Sequence, residues 1–453
     1  MTRDTVCELD ASRRPSRQRS AGRGGVDSLR IALLAPPWIT VPPPGYGGIE
    51  SVVDLLGEAL VARGHDVTLF AAPGSRSSAR IVSPLESTHP DEIGSSLHES
   101  DHVACAWQEI DRARERGRPF DVIHDHSGFT AVAMADRVVT PVVHTIHGPL
   151  DDTTRRFYQR HGHKVRLVAI SRSQADSAPE GVHVSDVVPN PIVVGRWPLR
   201  EHKQDYVLWI GRMDPVKGAH RAITAARLAG APLVLAGPVQ SGQEDYFREL
   251  VEPHVDGRRV RYVGEVGGTA KQNLFANAAA LLMPVCWREP FGMVMIEALA
   301  CGTPVIAFAE GAAAEIVIDT ENGRLVADET QMAEAIGQVG LIDPRRCRAS
   351  VAARYDISVT VAGYERVYRD AIAAEAGHCR PEARAIVVRS SSPPPRQSAH
   401  IDDDHDRQAH ELVPTHGPHH PRPASTAIAV RPRPGGLALF RPVTRLSGLR
   451  RVS

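Results

Sequence analysis

The chain has 453 residues, equal numbers of basic and acidic side chains, and 42% hydrophobic residues. That length allows two or three domains with sizeable cores, and the zero net formal charge removes any global argument for nucleic acid as a partner. Six cysteines form no CxxC or close pair, no apolar run reaches the roughly 20 residues of a membrane span, and no signal peptide is evident, so a reduced, cytoplasmic chain is expected.

Residues 1–28 are rich in Arg, Ser and Gly with almost nothing apolar, which predicts a disordered basic tail. Leu29–Ala35 is a continuous apolar run, as expected of a strand buried on both faces of a parallel sheet. A Pro/Gly-rich loop, 36–48, leads into an amphipathic helix over 49–63 and a strand over 66–71. Gly47 and Gly48 let the backbone approach an anion at that helix N-terminus. Residues 72–120 are patterned more weakly, and irregular strands with a helix near 102–116 are expected. DVIHDH (121–126) and PVVHTIHG (141–148) read as strands with polar carboxyl ends, where ligands collect in an open parallel sheet. His124 and His126 stand two apart and point to one face. No third metal ligand is evident near them, so contact with substrate is expected. Residues 151–164 predict a surface helix, with a patch for an anionic acceptor or a membrane as the alternative. A strand over 166–171 and a helix starting at 171–173 follow. Pro189-Asn190-Pro191 then makes a stiff turn that closes the first domain.

A second doubly wound unit opens with YVLWIGRMDPVKGAH: strand 206–210, loop 211–217, helix from about 218. Arg212 and Lys217 stand in that loop. A guanidinium can fork onto two phosphate oxygens and an ammonium supplies a point charge, so the pair suits a diphosphate. Strands are expected at 232–236 and 260–263, with a helix over 244–252 between them.

The most informative stretch is CWREPFGMVMIEALACGTPVIAF, 286–308. A buried strand over 278–283 ends at Pro284. A polar turn, 288–292, precedes a helix over 293–301 that stops at Gly302, and Pro304 precedes the next strand. Glu289 lies ahead of that helix and Glu297 within it. The helix N-terminus, with its partial positive charge and unpaired N–H groups, suits a phosphate, and a carboxylate on the same helix suits ribose hydroxyls. Helices over 329–339, 344–355 and 358–373 complete the folded part. From 376 the composition turns to Pro, Arg, His and Ser, predicting a second disordered tail, in which Asp402-Asp403-Asp404 reads as charge.

The stretch E-P-F-G-M-V-x-I-E-A-L-A-C-G-T-P-V-I-A resembles the signature of retaining, nucleotide-sugar-dependent glycosyltransferases of family 4, which have the GT-B fold. G-R-x-D-P-x-K-G at 211–218, GYGGIE at 45–50, T-x-H-G at 145–148 and the 189–191 turn resemble further elements of that family. The resemblance covers roughly residues 29–375. It implies an α/β architecture of two Rossmann-like doubly wound parallel-sheet domains facing across a cleft: an acceptor-side domain, 29–195, and a nucleotide-sugar-binding domain, 196–355. The helix 356–375 would cross back to the first. It implies transfer of a hexose from a UDP- or GDP-sugar to an acceptor hydroxyl, with retention and no metal ion or other cofactor. The acceptor would be a small molecule, a glycan or a lipid-linked molecule, the last with peripheral contact at the inner membrane face. The catalytic set so implied is His147, Arg212, Lys217 and Glu289. Gly47, Gly48, Pro290, Phe291, Gly292 and Glu297 would complete the donor site, and Tyr46, His124 and His126 would face the acceptor. Where many relatives have Gly-Gly-x-x-E, this chain keeps Gly311 and Glu315 but has Ala312, so donor-sugar contacts there are less well defined. The alternatives are another GT-B enzyme, a phosphorylase or epimerase, and a non-catalytic sugar-nucleotide-binding scaffold.

Overall fold

A computed structural model of the chain describes residues 28–45 and 47–378. The expectations for Tyr46, for the basic tail up to residue 27 and for the segment from 379 onward lie outside the described residues.

Two parallel sheets form the frame. The first contains β1 (Arg30–Leu34), β2 (Asp66–Phe70), β3 (Arg80–Val82), β4 (Val122–Asp125), β5 (Val142–Ile146), β6 (Arg166–Ala169) and β7 (Asp186–Val187), in the order 3-2-1-4-5-6-7. The second contains β8 (Val207–Ile210), β9 (Leu233–Ala236), β10 (Val260–Tyr262), β11 (Ala280–Met283), β12 (Val305–Phe308) and β13 (Gly323–Val326), in the order 10-9-8-11-12-13. In both, the chain steps outward on one side of its first strand, then returns and steps outward on the other. The point of reversal, β1/β4 in one sheet and β8/β11 in the other, opens a crevice at the carboxyl ends of the strands.

The helices are α1 (Gly48–Ala62), α2 (Ser96–Glu115), α3 (Phe129–Ala133), α4 (Asp152–His161) and α5 (Arg172–Asp176) around the first sheet. Around the second lie α6 (Ala219–Leu228), α7 (Glu244–Tyr246), α8 (Gly268–Asn277), α9 (Met293–Ala300), α10 (Ala313–Ile316), α11 (Glu329–Ile336) and α12 (Pro344–Tyr355), and α13 (Ile357–His378) follows. The strands are apolar on successive residues because both faces are covered. Ile31 and Leu33 pack on one side of β1 and Ala32 and Leu34 on the other; Val207 and Trp209 oppose Leu208 and Ile210 in the same way.

Val361, Tyr364, Val367, Tyr368 and Ala371 of α13 belong to the first sheet's core, with α1. Arg63, just past the end of α1, donates from Nε and Nη2 to the two carboxylate oxygens of Glu365, at 2.6 and 2.9 Å. The last helix is therefore built into the first sheet, with a forked ion pair holding it there.

Two expectations need correction. The helix expected near 102–116 begins earlier, at Ser96, because Gly94 and Ser95 supply the break and the less apolar first turns still bury Glu99 and His102. The helix expected over 244–252 is one turn of α7 that widens into a π turn at 247–251 and tightens at 252–254, where Pro253 has no N–H to continue an α ladder. Among the described residues no helix is long and apolar enough to cross a membrane.

One backbone position joins the fold to the site. Gly218, at φ 75°, follows Lys217, and a Cβ there would lie 2.1 Å from the carbonyl oxygen of Pro284. The loops after β8 and β11 meet at this point, and Cys286 N–H also donates to the Val216 carbonyl at 2.8 Å. Gly218→Ala combines a left-handed alanine with a backbone clash, so it is expected to lower stability by about 2 kcal/mol. Chemical denaturation that gives the variant a wild-type midpoint would refute this.

Candidate functional site

A cavity of about 260 Å³ opens between the crevices of the two sheets. Its walls contain Gly47, Gly48 and Ser51 at the start of α1, His147 just beyond β5, Arg212 and Lys217 beyond β8, and Glu289 to Val294 and Glu297 beyond β11. All the residues singled out for catalysis or donor binding from the sequence therefore meet in one place. They do so because each follows a strand at or beside a reversal point.

The start of α1 and the start of α9 both face this space, and the first N–H groups of a helix have no partner within it. Gly48 and Ile49, Met293 and Val294 are among the lining residues. Two partial positive charges thus add to the side-chain cations.

Lys217 Nζ donates to Glu289 Oε2 at 2.5 Å and lies 4.8 Å from the centroid of the Trp287 ring. Trp287 Nε1 donates to the same carboxylate oxygen at 2.9 Å, and Trp209 Nε1 donates to the Lys217 carbonyl at 3.0 Å. The sequence placed Lys217 on phosphate and Glu289 on sugar hydroxyls as separate contacts; the structure couples them. Glu289 is held from behind as well. Ala312 N–H donates to its carbonyl at 2.9 Å, and a Cβ on Gly311, at φ 57°, would lie 2.3 Å from that oxygen. Gly311 is needed here because only a bare Cα lets its loop back onto Glu289 so closely.

Glu297 Oε1 accepts from Lys271 Nζ of α8 at 2.7 Å, while its Oε2 is buried without a hydrogen-bond partner among the described residues. Arg212 Nη1 donates to Gln240 Oε1 at 3.1 Å, and its Nε is likewise buried without a partner. Buried polar atoms are nearly always satisfied, so three orphans in one cavity wall, these two and the Oδ1 acceptor of Asn190, mark groups kept for something else. Lys271 went unnoticed in the sequence. The only available signal was a lysine in the first turn of a helix, which is not distinctive.

Glu315 lies where an acidic residue was expected beside the donor sugar. Its carboxylate instead accepts from the backbone N–H groups of Arg172 and Ser173, at the start of α5. It serves as a clasp between the two sheet domains.

The histidines divide. His147 is half-buried and lines the cavity. Burial, and then the neighbouring His144, push its pKa down to about 3, so the ring is neutral near pH 7. His124 and His126 are 0% and 3% exposed, and burial holds both well below the usual imidazole range. His124 Nδ1 and Nε2 bond Tyr368 Oη at 2.7 Å and Thr145 Oγ1 at 2.8 Å. An acceptor cannot reach it, which corrects its assignment to the acceptor face. His126 is also removed from that face: it touches His147, Nδ1 to Nε2, at 2.7 Å. Apart from these, one cluster of three metal-ligand-type side chains occurs among the described residues, at His89, Glu92 and His98. Its imidazoles stack at 3.6 Å with 16° between planes, so their in-plane lone pairs run side by side and do not converge.

Residues 46–196 match the family described as Glycosyltransferase Family 4, and residues 196–355 match Glycosyl transferases group 1. The glycogen synthase of Mycobacterium tuberculosis is 28% identical over 424 residues, spanning 81% of this chain and all of that protein. The phosphatidyl-myo-inositol mannosyltransferase of Mycolicibacterium smegmatis is 26% identical, spanning 75% of this chain and 93% of that one. Among solved structures, AviGT4, a glycosyltransferase involved in avilamycin A biosynthesis, is 28% identical with a TM-score of 0.58, covering 76% of this chain and 98% of its own. Two family matches laid end to end over the two sheets, on the GT-B architecture and around a cavity that gathers the motif residues of both, establish that the chain belongs to glycosyltransferase family 4 and is a hexosyltransferase-type enzyme.

Proposed function

We propose that the enzyme moves a hexosyl group from a nucleoside diphosphate sugar to an acceptor hydroxyl, with retention at the anomeric carbon and without a metal ion. The observation that carries this reading is that two of those orphaned buried atoms, Arg212 Nε and Glu297 Oε2, lie in the wall that also presents Lys217, Glu289 and His147. A cationic donor suits the diphosphate and a bare carboxylate oxygen suits ribose hydroxyls. Glu289 takes the sugar hydroxyls, and His147, neutral, hydrogen-bonds the sugar near the reacting carbon.

In the reaction the bond from the anomeric carbon to the diphosphate oxygen breaks and the bond to the acceptor oxygen forms on the same face. The acceptor proton passes to the leaving phosphate oxygen. Negative charge accumulates on the diphosphate, where Arg212, Lys217 and the starts of α1 and α9 are already in position. A diphosphate entering the cavity competes with Glu289 for the Lys217 ammonium, which frees that carboxylate for the sugar. The two named relatives act on partners as different as glycogen and phosphatidyl-myo-inositol, so the acceptor is left as a glycan, a small polyol or a lipid-linked molecule. The four free cysteines among the described residues fit a reducing, cytoplasmic setting.

Thermal unfolding with UDP-glucose, GDP-mannose and ADP-glucose, each in excess EDTA, tests the reading. One of them is expected to raise the midpoint, by about 2.7 kcal/mol of added stability at a hundred times its dissociation constant. The same sugar nucleotide is expected to turn over equally fast with EDTA or Mg²⁺. No shift and no turnover with any of them overturns the donor assignment, and activity that vanishes in EDTA and returns with Mg²⁺ overturns metal independence.

A further inference from the structure

Behind His147 runs a buried chain of polar groups that neither donor nor acceptor can touch. His147 Nε2 lies 2.7 Å from His126 Nδ1, and His126 Nε2 lies 3.4 Å from His124 Nδ1. His124 is anchored at both nitrogens, to Tyr368 Oη at 2.7 Å and to Thr145 Oγ1 at 2.8 Å. Thr145 Oγ1 in turn lies 2.8 Å from Tyr364 Oη. Tyr364 and Tyr368 both come from α13, are 1% and 0% exposed, and their rings stack at 6.0 Å. The network therefore starts at the cavity wall and ends in the last helix.

We propose that His126 is a positioning residue for His147, holding its ring in one tautomer and one rotamer through a hydrogen-bond chain that the tyrosines of α13 anchor.

The physical reason lies in the number of protons. Each neutral imidazole carries one N–H, so the 2.7 Å contact between His147 and His126 contains one proton. Whichever ring donates it, Nε2 of His147 is committed to the buried side, and Nδ1 is the nitrogen not engaged by His126. The partner of one ring nitrogen fixes the state of the other. The chain is closed at the far end, where His124 has both nitrogens occupied by hydroxyl groups and Thr145 passes the bond to Tyr364, so the proton in each link is tied to that in the next. Packing alone would need rings of the right shape; it would not need every nitrogen of two wholly buried histidines to meet a polar partner.

This inference rests on the proposed contact of His147 with the donor sugar, and the experiment separates the two. Using full-length protein, nucleoside diphosphate release is followed from whichever of UDP-glucose, GDP-mannose and ADP-glucose turns over fastest, with water as acceptor. His126→Phe keeps a ring but removes the bond, and kcat is expected to fall roughly 10- to 100-fold with donor KM within about twofold. His126→Asn places an amide atom near the former Nδ1 and is expected to restore most of the rate. Tyr368→Phe, at the far end, is expected to lower kcat a few-fold. Long-range nitrogen–proton NMR spectra of the imidazoles should show one His147 tautomer in the wild type and a mixture in His126→Phe.

A His126→Phe enzyme with wild-type kcat and an unchanged His147 tautomer overturns the positioning role. A slow His126→Asn enzyme with the same lowered thermal midpoint as His126→Phe also overturns it, because the loss is then one of packing. His147→Phe distinguishes the underlying reading: full turnover in that variant removes His147 from the reaction, and the positioning role with it. A slow His147→Phe beside a His126→Phe of normal rate overturns the positioning role alone.

Discussion

Arg212→Ala is expected to slow glycosyl transfer by about 10²- to 10³-fold, the usual consequence of removing one preorganised donor from a developing anion. Arg212 follows β8 at the point where the second sheet reverses, and its guanidinium is tied at one end only, through Nη1 to Gln240. Nε is buried with no partner among the described residues, so its hydrogen-bonding capacity is unspent within the fold. The diphosphate is already charged when the donor binds and becomes more so as the sugar leaves. The loss should therefore appear in kcat as well as in donor KM. Arg212→Lys restores a charge without the planar fork and is expected to recover a minor part of the rate. Because the side chain lies in a cavity wall and fills no core, the thermal midpoint of Arg212→Ala should stay close to that of the wild type. Initial rates at saturating and at limiting donor, with the midpoint as control, decide the matter. Transfer at the wild-type rate would remove Arg212 from the phosphate site, and a collapsed midpoint would make it a structural residue.

That prediction was open to the sequence, whereas its surroundings were not. The second sheet could be read closely because its elements are punctuated locally. Pro284 ends the run that becomes β11, Gly302 closes α9 with φ 74°, and Pro304 stands before β12. Arg212, Lys217, Glu289 and Glu297 were legible for the same reason: each lies in a short motif beside such a break. What could not be read is what those residues bind within the protein. Glu297 meets a lysine 26 positions away, His126 meets a histidine 21 away, and His124 meets a tyrosine 244 away. These contacts follow from strand order, and periodicity carries no information on it. His124 in β4 and His126 just beyond it were placed together on one face, since alternation is a local rule. That face is roofed by α13, so the two side chains point into the core. The weak patterning of 72–120 has a related cause. It includes a three-residue edge strand, β3, and a helix whose buried side includes Glu99 and His102, and neither gives a clear apolar rhythm.

The buried histidines also make the fold sensitive to acid, and this effect should be large. His102, His124 and His126 are all at most 3% exposed. Burial lowers the pKa of His102 to about 4 and holds the other two well below the ordinary imidazole value. In the unfolded chain each would titrate near 6.5. Above that value neither state is protonated and these residues leave stability independent of pH. Below it the unfolded chain takes up three protons that the fold refuses, so stability falls as the pH falls. Each histidine contributes about 1.4 kcal/mol per pH unit, or roughly 4 kcal/mol per unit for the three, until the folded values are reached. Carboxylates held low in the fold act only further down, nearer their own range. Glu50, whose pKa burial raises, works in the opposite sense and relieves part of the loss. A protein towards the lower end of ordinary stability, about 5–8 kcal/mol, should thus unfold between about pH 5.3 and pH 4.5 at room temperature. Unfolding midpoints at half-unit steps from pH 8 to pH 4.5 are expected to be level above about 7 and to drop steeply below 6.5. A curve that stays level down to pH 5 would show that the fold can accept these protons, and the neutral relay behind His147 would lose its basis.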